Sequence, residues 1–281
     1  MSSVLRLSGV FAAASFAALQ AFANPGLGDE KYQPSVGQEG KDVIWVPTSD
    51  ALVKKMLDTA KVTAEDLVFD LGSGDGKIPI AAARDYGAQA VGIEYNPEMA
   101  ALARRNAARA GVGEKVKIIT GDIFKEDFSK ATVVTLYLLP ELNLRLRPIL
   151  LKMKPGTRVV SHAFTMGDWE PDQNIETEMA RGYFWIVPAN VAGRWRFDTM
   201  GSDSNVVLEL TQRYQKLAGT ITISRKTQPI LSPRLQGDRL TFGYLDDRDQ
   251  LRTLSMKVSG NSIEGEFGSG YIFTSVKGKR Q

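Results

Sequence analysis

A short apolar run, Leu67-Val68-Phe69-Asp70-Leu71, leads straight into Gly72-Ser73-Gly74-Asp75-Gly76, and a helical pattern begins at Lys77. Strand, glycine-rich turn and helix in that order form the place where open α/β sheets hold ligands. Glycines let the backbone approach, and the helix N-terminus offers unpaired amides. The ligand is not a dinucleotide, because Lys77 stands where the third fingerprint glycine belongs, and no Gly-Lys-Ser/Thr supplies a phosphate-binding loop. Asp70 and Asp75 beside the turn repel phosphate and suit a ligand carrying an ammonium and a sulfonium.

The surrounding pattern repeats the unit. Leu52, Val53, Met56, Leu57 and Ala60 recur at helical spacing behind a cap expected at Thr48. After the helix over residues 77–86 come strand 90–94, a helix with Met99, Leu102, Ala103, Asn106, Ala107 and Ala110 on one face, and strand 116–119. Strand 133–138, helix 141–153, the turn Lys154-Pro155-Gly156 and strand 158–162 follow. Strands alternating with helices of this length imply a doubly wound α/β sheet with both faces covered.

Beyond Asp168 the long amphipathic helices stop. Residues 183–188 and 193–197 read as a strand pair, and short alternating runs punctuated by Gly, Pro, Asn and Asp continue to the end. That is the pattern of a small antiparallel β domain, placed at 198–281. Gln236-Gly237-Asp238 and Ser259-Gly260-Asn261 read as turns. Residues 24–44 read as an arm leading into the body at 45–197.

Composition narrows the chemistry. The 281 residues include no Cys and one His, which removes zinc clusters, thiol nucleophiles, disulfides and iron–sulfur centres, so no metal site is expected. A net charge of +3 without long basic runs gives no reason to expect nucleic acid as a partner. At the start, Arg6, the Ala-rich apolar run 10–19 and Ala21-Phe22-Ala23 before Asn24 have the form of a cleaved signal peptide over 1–23. The expected mature protein is periplasmic or secreted, with no stable membrane span after cleavage.

Asp70 to Gly76 resemble the acid-x-Gly-x-Gly-x-Gly loop of the class I S-adenosylmethionine-dependent methyltransferases, over about residues 45–197. The resemblance implies a Rossmann-like sheet with S-adenosylmethionine as cofactor. It places the methionine half of the cofactor on Asp70, Gly72, Ser73, Gly74, Asp75 and Gly76, the ribose hydroxyls on Glu94, and the adenine on Asp122 and Ile123. The stretches 137–143, 154–162 and 166–169 resemble the protein-lysine methyltransferases that modify mitochondrial inner-membrane proteins such as the ATP synthase c-subunit, and residues 185–193 resemble their bacterial relatives.

Methyl transfer from a sulfonium is an in-line displacement, so the protein chiefly supplies orientation and a suitably charged pocket. Acceptor groups in this fold come from the ends of strands four and five. There Glu141 is a candidate to orient an ammonium, Tyr137 to wall an aliphatic stem, and His162 to relay a proton. Each also has a plain structural role: an acid at a helix start, an aromatic in an apolar run, a hydrogen-bonded histidine. A protein lysine is the leading acceptor. The alternatives are a small-molecule acceptor under a β-domain lid, and a binding module that keeps the pocket without turnover.

Overall fold

The computed structural model describes residues 28–200, 203–269 and 272–281, so the signal peptide expected over 1–23 lies outside the described residues. Two sheets carry the described residues. The first is built from β1 (Leu67–Leu71), β2 (Gln89–Glu94), β3 (Val116–Thr120), β4 (Val133–Leu136), β5 (Arg158–His162), β6 (Gln173–Glu176) and β7 (Arg181–Ile186), in the order β3-β2-β1-β4-β5-β7-β6. The first five strands are parallel, and β7 and β6 add on antiparallel.

Strand side chains alternate into two cores. Val68, Val133 and Val160 join one core with α1 (Asp50–Thr59), α2 (Lys77–Tyr86) and α3 (Pro97–Arg109). Phe69, Leu71, Val134, Leu136 and Val159 join the other with α4 (Pro140–Leu150). Strand order reverses between β2 and β4 on either side of β1, which opens a crevice at the strands' carboxyl ends. The N-cap of α1 is Ser49, whose side chain accepts from Leu52 N, and not Thr48 as expected. Both residue types cap well; Thr48 is engaged elsewhere.

The second sheet runs from β8 (Gly193–Met200) through β9 (Asp203–Arg213), β10 (Lys216–Ile223), β11 (Lys226–Pro229), β12 (Leu231–Gln236), β13 (Arg239–Leu245), β14 (Leu251–Ser259), β15 (Ser262–Ser269) and β16 (Ile272–Arg280). All nine are antiparallel in the order β11-β10-β9-β8-β16-β15-β14-β13-β12. Pro229 and Pro233 lie on the two edge strands, where a missing N–H breaks no ladder. The edges curl toward each other. Ile230 N donates to Gly219 O, and the Gln228 amide exchanges two bonds with the Leu245 backbone, around a single core.

The expected pairing of 183–188 with 193–197 does not form. β7 pairs with β5 and β6, while β8 pairs with β9 and β16. Trp195 and Phe197 belong to the barrel-like core, so the second sheet begins at Gly193, ahead of 198. The sheets meet at Asp168, which takes Arg147 from α4 together with Arg213 and the Tyr214 hydroxyl. Trp169 stacks on Tyr214 there at 6.1 Å.

Candidate functional site

The crevice is a cavity of about 250 Å³ lined by the glycine turn, the ends of β2, β3 and β4, and the N-terminal arm. Gly72, Gly74 and Gly76 all have positive φ. At Gly74 a side chain is excluded twice, since φ is +54° and a Cβ would lie 2.6 Å from Trp45 Nε1. Ser73 Oγ is buried without a hydrogen-bond partner.

The acids converge as expected. Asp70, 3% exposed, accepts from Thr135 Oγ1 at 2.7 Å. Desolvation, with Glu94 and Asp75 nearby, pushes its carboxyl up to about 7. Glu94 accepts from Gly74 N at 2.9 Å and Asn96 N at 2.8 Å, which ties the end of β2 to the turn. Burial raises its pKa and that of Asp75 as well. Asp75 Oδ1 also accepts from Lys77 N at 3.3 Å, while the N-cap position of α2 is Gly76 and not Asp75. Asp122 pairs with Lys41 Nζ at 2.9 Å, and this hydrogen bond lowers its pKa.

Tyr137 lines the cavity with Leu138, Leu139, Leu142 and Phe164. His162 sits behind Tyr137, ring on ring at 3.7 Å, with Nδ1 3.0 Å from Thr48 Oγ1. Burial lowers its pKa to about 4, so the imidazole is neutral. Of the expected residues, Gly76, His162 and Glu141 do not line the cavity. Gly76 caps α2 against Ala103, and Glu141 is exposed on the first turn of α4, where the helix dipole favours an acid.

Sequence reasoning missed the arm's part in the site. Residues 38–48 line the cavity, and Lys41 lies over the Tyr95 ring at 4.8 Å. Asp29 anchors the arm to Arg105 and Arg109 of α3. The available signal was the apolar run Val43-Ile44-Trp45-Val46 before Pro47-Thr48.

Residues 70–173 match the profile of the ANTKMT methyltransferase domain. A protein-lysine N-methyltransferase from Saccharolobus islandicus is 46% identical over 138 residues, which cover 48% of this chain and 86% of that protein. The chain belongs to this family of class I S-adenosylmethionine-dependent methyltransferases. The ATP synthase c-subunit lysine N-methyltransferase of Xenopus laevis is 33% identical over 129 residues, 46% of this chain and 56% of that protein, so the chain spans just over half of that relative's length. A solved structure described as an RNA methyltransferase from Salinibacter ruber in complex with S-adenosyl-L-homocysteine is 50% identical, with a TM-score of 0.51, over 52% of this chain and 96% of that one.

The cavity of this methyltransferase fits S-adenosylmethionine. Carboxylates face a ligand with a cationic methionine half, the turn leaves no room for a Cβ at Gly74, and the buried Ser73 hydroxyl awaits a partner. The raised pKa of Asp70 has a consequence with a definite sign. Between 3.8 and about 7 the folded chain holds a proton that the unfolded chain releases, so this group costs stability as pH rises through that window. A bound cation favours the ionised form. Cofactor affinity is therefore expected to rise with pH and level off above about 7. Calorimetric titrations on either side of that pH check it, and a flat profile contradicts it.

Proposed function

We propose that this chain is an exported methyltransferase whose acceptor is a protein lysine. The observation that carries the reading is one cavity where Asp70, Glu94 and Asp122 meet the aromatic face of Tyr137 and Phe164. The 46% identity to the Saccharolobus protein-lysine enzyme supports it. When bound, S-adenosylmethionine supplies an activated methyl group on a sulfonium. Asp70 and Asp75 set the negative field for its methionine half, and Gly72, Ser73 and Gly74 give it backbone to lie against. Glu94 takes the ribose hydroxyls. Asp122, now paired with Lys41, and Ile123 would hold the adenine end.

Tyr137 walls the aliphatic stem of the acceptor, and the apolar Leu138, Leu139 and Phe164 keep water from it. A lysine, with an ordinary pKa of about 10.4, must shed a proton before its nitrogen can act. An apolar wall favours the neutral amine. With its pKa lowered to about 4 and its ring behind Tyr137, His162 is a poor acceptor for that proton, which leaves to water, and His162 serves as backing for the Tyr137 wall.

RNA is the second reading, favoured by the description of the Salinibacter protein. The acids that line the cavity weigh against a phosphate-bearing acceptor. Tandem mass spectrometry of envelope proteins treated with the enzyme and S-adenosylmethionine tests the lysine reading. It predicts new methyl groups on lysine side chains that are absent with a Tyr137→Ala enzyme; protein left unmodified by an active, cofactor-consuming enzyme overturns it.

Export rests on the pattern at 1–23 and agrees with a Cys-free chain. Peptide mapping of the protein isolated from its source is expected to find Asn24 as the first residue. Finding Met1 on a cytoplasmic protein contradicts export.

A further inference from the structure

We propose that Thr48, a residue of the N-terminal arm, is a positioning residue for methyl transfer: its hydroxyl fixes His162, and His162 fixes Tyr137 as the wall of the acceptor end of the cavity. The inference rests on the methyltransferase reading above and adds a residue to it.

Thr48 is 5% exposed and lines the cavity, yet helix capping does not explain its burial, because Ser49 caps α1. Pro47 fixes its own φ and holds Val46 extended, so the arm delivers Thr48 to the sheet in one conformation. The hydroxyl lies 3.0 Å from His162 Nδ1. A neutral imidazole has one donor and one acceptor nitrogen, and a hydroxyl, able to donate or accept, pairs with Nδ1 in either tautomer and fixes the ring orientation. The ring so oriented stacks on Tyr137 at 3.7 Å, and Tyr137 in turn stacks toward Phe164 at 6.4 Å.

The opposite side of this wall is built with equal care. Ala163, directly after His162, has φ +63°, a left-handed conformation that is costly for any residue with a Cβ. Such strain persists only where the surroundings over-determine it. Here Phe164 N turns back to His162 O at 2.8 Å, and the fully buried Asn143 donates to Phe164 O and Thr165 O at 3.3 Å. The aromatic wall is therefore clamped by α4 on one side and by the arm on the other. Thr48 is the arm's side of the clamp.

His162 is the only histidine in the chain, so its imidazole gives a unique magnetic resonance signal. The test compares the full chain with Thr48→Val and Thr48→Ser. It reads the imidazole ¹⁵N shifts, S-adenosylmethionine binding, and tritium passed from S-adenosylmethionine to a fixed amount of extracted envelope protein. Thr48→Val is expected to shift the imidazole Nδ1 resonance, which loses its hydrogen bond, and to lower kcat about tenfold, the equivalent of one lost positioning hydrogen bond. KM for the cofactor is expected to stay within about twofold, the mark of an interaction that matters to transfer and not to binding. Thr48→Ser is expected to restore both signal and rate.

Unchanged kcat in a folded Thr48→Val protein overturns the proposal, as does a rate loss that Thr48→Ser fails to rescue. If Thr48→Val does not fold, Thr48→Ser with an altered imidazole signal and unaltered kcat overturns it too. A wild-type enzyme that binds cofactor but labels no protein is a different result. It removes the lysine reading, while the imidazole signal still reports whether Thr48 holds His162.

Discussion

Replacing Glu94 with alanine weakens S-adenosylmethionine binding by about a hundredfold or more, roughly 3 kcal/mol. Glu94 is placed to do two jobs. Its carboxylate already orders the turn through Gly74 N and the start of α3 through Asn96 N, and it lines the cavity where the resemblance puts the ribose. Alanine removes the charged acceptor and releases the turn at once. The released amides sit beside the open cavity and can take water, so the melting temperature falls little while affinity falls steeply. Glu94→Gln, which keeps one acceptor oxygen, is expected to lie between the two. Calorimetric titration with S-adenosylmethionine measures this, and affinity within about threefold of wild type would remove Glu94 from the site.

The largest stability effect is expected at Trp185. The side chain is fully buried on β7, donates from Nε1 to Trp169 O at 2.9 Å, and packs against the rings of Trp169 and Tyr183 at 5.9 and 6.1 Å. Truncation to alanine opens a cavity that neighbours cannot close, because Trp169 is itself held between Trp185 and Tyr214 of the turn after β9. Trp185→Ala is expected to cost about 3–5 kcal/mol and lower the melting temperature by about 10 °C. Thermal unfolding followed by near-ultraviolet circular dichroism reads this directly. A loss below about 1 kcal/mol would mean that the Trp185–Trp169–Tyr214 stack does not join the two sheets.

The parallel sheet was legible because its strands are continuous apolar runs and its helices have plain 3.6-residue periodicity, which tertiary context has little power to override. The turn at Asp70 to Gly76 was legible because three closely spaced glycines between a strand and a helix have few other uses. Contacts distant in sequence were not legible. Nothing local distinguishes Thr48 from Ser49 as a cap; what decides is His162, well over a hundred positions away. Lys41 and Trp45 belong to the site only because the arm is tied down at Asp29.

The same physics explains the misplaced strands. Residues 183–188 and 193–197 are apolar and close in sequence, so they read as a hairpin. The chain between them crosses from one core to another, and only the destinations of Trp185 and Trp195 reveal it. Pro229 and Pro233 stand in β11 and β12, which as the two edges of the sheet tolerate proline without losing a ladder bond. Glu141 was singled out from its place at a helix start beside the predicted site, and the helix start is the whole of its observed role in the fold.

If the cavity between the glycine turn and Tyr137 passes methyl groups to protein lysines, the most direct measurement is the fate of the methyl group itself. Tritium from methyl-labelled S-adenosylmethionine is followed after incubation with the enzyme and an extract of its source, separated into protein and RNA and hydrolysed to monomers. Lysine methylation predicts label in methylated lysine from the protein fraction, lost with Glu94→Ala. Label recovered in nucleosides would contradict it.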